Sequence, residues 1–198
     1  MGMHQDDEFP RIIIPVLPTA EECWLQTYTG GIVHPLDPKE DEIRLQDIAA
    51  ALSKLCRFGG HCREFYSVAE HSVLMSRVVR PDMKLCALMH DASEAYLVDV
   101  PKPLKAFLVG YSEIENRLMS VIANKFSFEW PLPTGIKQLD MAILSDERLQ
   151  NMAVMNVESM LWGNILPPIG IKLEFWTPDR AQYEFCAAYH MIRHGSKT

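Results

Sequence analysis

Past residue 42 the chain carries apolar residues at helical spacing, cut into segments by start and stop signals, with no long alternating stretch to build a sheet. Leu45, Ile48, Ala49, Leu52 and Leu55-Cys56 share one face of a first predicted helix, which stops at Gly59-Gly60. Ser67-Val68-Ala69-Glu70 reads as a capping box opening a second helix, with His71 in its first turn. Pro81 opens a third, with Leu85, Leu88 and Met89 on its apolar face and His90-Asp91 near its end. A Pro-bracketed loop follows, Asp99-Val100-Pro101-Lys102-Pro103. Ser112-Glu113-Ile114-Glu115 reads as a second capping box, starting a helix through about Phe126 that Trp130-Pro131-Leu132-Pro133 breaks. Two more helices fit roughly residues 134–155 and 178–194, the last stopping at Gly195. The predicted fold is all-α: a helical core over 43–198, preceded by a short extended and turn-rich N-terminal segment over 1–42. Within that segment, residues 1–18 read as an arm or strand, and Gly30-Gly31, His34-Pro35 and Asp37-Pro38 mark turns, with room for a small β decoration.

Composition narrows the function classes. A chain of 198 residues, 48% hydrophobic and 23% charged, suits one substantial globular core. No apolar run is long enough to cross a bilayer, and the Pro-broken stretch Arg11–Pro18 does not read as a signal peptide, so a cytoplasmic protein is expected. A formal net charge of -7 argues against a general nucleic-acid binder. The five cysteines include no CxxC pair. Cys56 and Cys86 are expected on apolar helix faces as buried free thiols. Basic residues gather locally, as Lys54, Arg57 and Arg63 and again as Lys102 and Lys105.

The chemistry concentrates in four residues: His71, then the adjacent pair His90-Asp91, then Asp140. Two imidazoles and two carboxylates make a complete ligand set for a borderline divalent metal, provided that they converge. Adjacent helix positions point about 100° apart, so His90 and Asp91 can share one ion only where the helix ends or distorts. Glu94, three residues beyond Asp91, is placed to act on water beside a metal without binding the metal itself. Asp99 sits in the rigid loop just past it. His190 and His194 have i, i+4 spacing but no acidic or thiol partners nearby in sequence. They read as a cationic helix end.

Tyr66-Ser67-Val68-Ala69-Glu70-His71-Ser72, Ala87-Leu88-Met89-His90-Asp91-Ala92-Ser93-Glu94-Ala95-Tyr96 and Asp99-Val100-Pro101-Lys102-Pro103-Leu104-Lys105 together resemble the HD-domain phosphohydrolases. Within these, the resemblance is closest to bacterial 5′-deoxynucleotidases and phage deoxynucleoside triphosphohydrolases, and it runs from about Leu45 to Arg148. It implies a single HD-domain helical bundle, with His71, His90, Asp91 and Asp140 holding one divalent ion (manganese, cobalt, nickel, iron or zinc). Multinuclear relatives take extra histidines from between the HD pair and the final Asp, and this chain has none there. The resemblance further implies Glu94 and Asp99 as acidic groups acting on water and leaving group, Arg57 and Lys105 as phosphate-directed cations, and Phe58 against the sugar. The family's nucleotidases carry Trp where this chain has Phe58, which leaves ribose against deoxyribose open. His61 receives no role.

The implied activity is metal-dependent hydrolysis at the α-phosphate of a nucleotide, by a 5′-nucleotidase of deoxynucleoside monophosphates or a triphosphohydrolase of deoxynucleoside triphosphates. A homo-oligomer is expected on the same ground. Two alternatives stand: an HD phosphohydrolase of a signalling nucleotide, and a non-catalytic helical binding module with a structural metal.

Overall fold

The computed structural model describes residues 19–154 and 166–195. It is mainly helical. The sheet content among these residues is one antiparallel hairpin, β1 (Leu25–Gln26) and β2 (Ile32–Val33), with Leu25 opposite Val33 and Gln26 opposite Ile32. The predicted arm over 1–18 lies outside the described residues. The hairpin is pinned to the helices by Asp47, a buried residue of the first helix that accepts from Thr29 N (2.7 Å) and Thr29 Oγ1 (3.1 Å).

Helix α1 (Leu45–Leu52) turns Leu45, Ile48, Ala49 and Leu52 into the core. It ends seven residues before the predicted glycine stop. The cause is a change of backbone partner: Val68 N donates to Leu55 O and Arg57 N to Tyr66 O, so the chain bridges to the segment entering the next helix. Cys56 therefore sits in an extended bridge, half-buried, and not on a helix face, whereas Cys86 is buried as expected.

Helix α2 (Val68–Val78) is the central element, buried from Val68 through Ser76 and packed against α1, α3 (Lys84–Met89), α7 (Thr134–Asn151) and α8 (Pro178–His194). Ser67 caps it, accepting from Glu70 N at 3.1 Å. The reciprocal half of the capping box is absent, because the Glu70 carboxylate instead accepts from Glu174 N, Phe175 N and Trp176 N at 2.7–2.9 Å. Two short helices, α4 (Glu94–Leu97) and α5 (Lys102–Lys105), bracket the Asp99 loop, and α5 takes up Lys102 and Pro103 of the predicted loop. Helix α6 (Tyr111–Phe126) begins behind Gly110 in left-handed conformation, so Ser112 falls inside the first turn and makes no cap. Helix α7 stops at Asn151, and α8 matches its predicted span and its Gly195 stop.

Apolar contacts form two clusters on either side of α2. One joins α1, α3, α6 and α8 through Ile48, Leu52, Leu88, Leu118, Ile122, Trp176 and Phe185. The other joins Tyr66, Met75, Ile136, Ile143 and Leu173. The polar residues of interest lie where α2, α3 and α7 meet.

Candidate metal centre

Each donor reaches this junction by a local rule. His71 sits one turn into α2, its position fixed by the Ser67 cap, and its side chain is fully buried. Helix α3 ends at Met89, which supplies the break that lets His90 and Asp91 point together. Asp140 comes from the middle of α7. His71 Nε2 lies 3.2 Å from His90 Nε2 and 3.4 Å from Asp140 Oδ1, and these three residues form a group able to hold a metal ion. Bonds of about 2.1 Å to one ion place neighbouring donors roughly 3.0–3.4 Å apart, so the spacing of His90 and Asp140 around His71 fits a shared cation. Asp91 Oδ2 stands beside this group, 3.1 Å from His90 Nε2 but 3.9 Å from His71 Nε2, and is not part of the three-residue set.

The tautomers point the same way. His71 Nδ1 is 2.7 Å from Glu147 Oε1, and His90 Nδ1 is 2.8 Å from Ala87 O. A carbonyl oxygen can only accept, so His90 Nδ1 carries the proton. The carboxylate fixes the same tautomer on His71. Both Nε2 lone pairs then face each other across 3.2 Å, an arrangement that needs a cation or an extra proton between them.

Glu147 is the site residue that sequence reading did not single out. It is buried, receives His71 Nδ1 on one oxygen and takes Arg57 Nη2 on the other at 2.9 Å. A signal was available, since Glu147 lies two helical turns beyond Asp140 on the same face of α7. Arg57, on the turn after the Cys56 bridge, also stands 3.8 Å from Asp91 Oδ2. Burial works against the Arg57 charge, but Glu147, Asp140 and Asp91 outweigh it and keep the guanidinium charged. Burial and Arg57 act to lower the His71 pKa, yet Glu147 and Asp140 push it up to about 9. Burial opposes the Asp140 charge as well, but the two imidazoles hold this carboxyl below the usual range.

Glu94 is buried at the edge of this group. Burial, with Asp91 and Asp99 close by, raises it well above the ordinary carboxyl value. Its Oε2 has no hydrogen-bond partner among the described residues. Burial likewise raises Asp99. Lys105 Nζ is 3.8 Å from Glu94 Oε1 and 2.9 Å from Glu115 Oε1, so it stands at the site already paired. Phe58 lies under Arg57, its ring centroid 5.4 Å from the guanidinium carbon. Two non-glycine residues with positive φ flank these groups: Phe58 (58°) beside Arg57, and Val98 (60°) beside Asp99. Such backbone costs about 1–3 kcal/mol per residue and collects where geometry is held for a purpose.

A cleft of about 390 Å³ opens onto the group from the side of His90, Asp91 and Asp140, with Met119, Trp130 and Ile136 as apolar wall and Lys137 near Asp140. Lys54 and Arg63, two of the basic residues noted in the sequence, do not line it. Lys54 stacks on Tyr28, 4.5 Å from the ring centroid. His190 and His194, both exposed, stack on each other near the C-terminal end of α8, outside the metal-capable group.

The fold and this centre define a mainly helical protein with a buried two-histidine, carboxylate group able to hold a metal ion. No family model matches the chain. It is 40% identical over 125 residues to the uncharacterized protein YfdR of Escherichia coli (strain K12), covering 63% of this chain and 70% of YfdR, and it belongs to the same family as YfdR. It is also 27% identical over 190 residues to the uncharacterized protein RCAP_rcc00048 of Rhodobacter capsulatus, covering 87% of this chain and 96% of that protein. No helix among the described residues is long and apolar enough to cross a membrane.

Proposed function

We propose that this protein is a metal-dependent phosphohydrolase of the HD-domain type that cleaves at the α-phosphate of a nucleotide, with a deoxynucleoside mono- or triphosphate as substrate. The observation that carries the reading is the pair of Nδ1-anchored imidazoles whose Nε2 atoms face each other beside Asp140 and Asp91, with the buried carboxyl of Glu94 standing next to them but outside the donor set. His71, His90, Asp91 and Asp140 would hold one divalent ion, which when bound supplies Lewis-acid charge that makes water more acidic and offsets phosphoryl charge.

The chain's own residues supply the rest. Glu94, kept dry and unpaired at Oε2, is placed to take or give a proton at the reacting centre, and Asp99 can serve the leaving oxygen. Arg57 presents a permanent positive charge beside Asp91 and orients Glu147, and through it His71. Lys105 pairs with Glu115, stands 3.8 Å from Glu94, and can turn towards a phosphoryl oxygen. Hydrolysis then adds water at phosphorus and releases the nucleoside oxygen, leaving phosphate from a monophosphate or triphosphate from a triphosphate.

The test is a hydrolysis screen of deoxy- and ribonucleoside mono-, di- and triphosphates with manganese, cobalt, magnesium or zinc, products resolved by chromatography. Turnover of one class that falls about 10²–10⁴-fold in Glu94→Ala at unchanged metal content supports the reading. A protein that binds metal and turns over none of these compounds is instead a hydrolase of another phosphoester, such as a signalling nucleotide, or the metal-containing binding module. Sedimentation of the same preparation checks the homo-oligomer that the resemblance implies.

A further inference from the structure

Cys56 and Cys62 bracket the turn that carries Arg57, and no part of the proposed chemistry uses them. Their sulfurs lie 3.5 Å apart, six positions apart in sequence. Both side chains are half-buried, while Gly59, Gly60 and His61 between them are exposed. Each end of this loop is anchored. Arg57 N donates to Tyr66 O and Val68 N to Leu55 O on the Cys56 side, and Arg63 N to Asn151 O (2.8 Å) on the Cys62 side. Asn151 Oδ1 also accepts from Glu64 N at 2.8 Å. The segment between carries two glycines, with Phe58, Gly59 and Gly60 all at positive φ (58°, 59° and 81°). A disulfide needs the sulfurs at about 2.05 Å, an approach that side-chain rotation on so short a glycine-bearing loop can supply.

We infer that Cys56 and Cys62 are a reversible dithiol–disulfide site, closed by a low-molecular-weight disulfide such as glutathione disulfide, that tethers the loop presenting Arg57. Either sulfur can donate to the other across 3.5 Å. One thiol, as its thiolate, attacks one sulfur of glutathione disulfide, the S–S bond breaks, and one glutathione leaves and takes up the proton that the thiol has lost. The second thiol then gives up its proton and attacks the protein sulfur of the mixed disulfide, and the second glutathione leaves as a thiol. Two protein thiols are oxidised to one disulfide, and one glutathione disulfide is reduced to two thiols. The closed ring holds Arg57 between fixed sulfurs, and Arg57 Nη2 is what Glu147 binds.

The experiment needs no substrate and no metal, so its failure is separate from failure of the hydrolase reading. The full-length reduced chain is incubated with glutathione disulfide and mapped by non-reducing proteolysis and mass spectrometry. Hydrogen exchange of the peptides over residues 57–62 is then compared between reduced and oxidised forms. The expected result is a Cys56–Cys62 cross-link with the loss of two hydrogens, reversed by dithiothreitol, and slower amide exchange across the loop. Neither Cys62→Ser nor Cys56→Ser should form the cross-link, and in each the remaining thiol should go no further than a glutathione adduct. A stable adduct on the native chain, a link to Cys23, Cys86 or Cys186, or no oxidation overturns the site. Unchanged exchange in the cross-linked form overturns the tether.

Discussion

Two regions of this protein tie polar helix side chains to distant parts of the chain and use them differently. In the first, helix side chains stand in for a missing neighbouring strand. Glu70 of α2 accepts three successive backbone N–H groups from 174–176, Asp146 of α7 accepts from Ile169 N and Gly170 N, and Gln150 both accepts from Leu173 N and donates to Ile171 O. Every partner there is backbone, so the arrangement is closed and leaves nothing to react. In the second, Glu147 faces a guanidinium and an imidazole, and the chain of contacts runs on through His71 to His90, Asp91 and Asp140. Those partners are themselves charged or titratable, and the far end of the chain opens on a cleft. The backbone-facing set is a latch, whereas the side-chain-facing set keeps unmet coordination.

The largest test of that contrast is Glu147→Ala, which leaves Arg57 buried without its partner and His71 Nδ1 without an acceptor. It should cost about 3–5 kcal/mol in urea unfolding and lower metal affinity roughly 10–100-fold. Stability and metal content near wild type in this variant would erase the distinction between the regions. Metal removal comes next. Chelation should lower the melting temperature of the wild type by the equivalent of about 2.7 kcal/mol relative to protein at metal a hundredfold above Kd, and should leave His90→Ala unmoved. Glu70→Ala should destabilise by about 1–3 kcal/mol through its orphaned backbone donors while metal content stays unchanged. Coupled loss of metal in Glu70→Ala would show that the latch and the centre are one unit. Ser67→Ala removes the cap of the helix that carries His71 and should cost about 0.5–2 kcal/mol by thermal unfolding. Ser112→Ala, at a position that only looks like a cap, should stay within about 0.5 kcal/mol, and a larger loss would mean that α6 starts where the sequence signal places it.

The Ser67 and Ser112 signals look alike in sequence, and their different outcomes show how local patterns are read out. At Ser67 the preceding chain is held extended by the bridge to Cys56, so the hydroxyl meets Glu70 N. At Ser112 the left-handed Gly110 has already turned the chain, and its carbonyl takes Ile114 N, so the helix is under way before the serine. The first helix shows the converse error. Leu55 and Cys56 continue the apolar pattern, but the bridge to the segment around Ser67 captures their backbone and the helix ends early. Periodicity registers that such residues turn towards the core without saying which backbone partner wins.

Spacing and residue type were enough to order the six longer helices, though not α4 and α5, to place His71 in a first turn and to foresee that His90 and Asp91 needed a helix end at their position. These depend on contacts within a few residues, which a local pattern can carry. The partners of the buried charges were decided only by the tertiary structure. Arg57 and His71 meet Glu147 across 90 and 76 positions of chain, and the two sulfurs flanking Arg57 approach because separate backbone pairings hold the ends of their loop. A buried charge takes whichever opposite group packing brings within reach, and that choice is fixed when α2 and α7 dock, not when either helix forms.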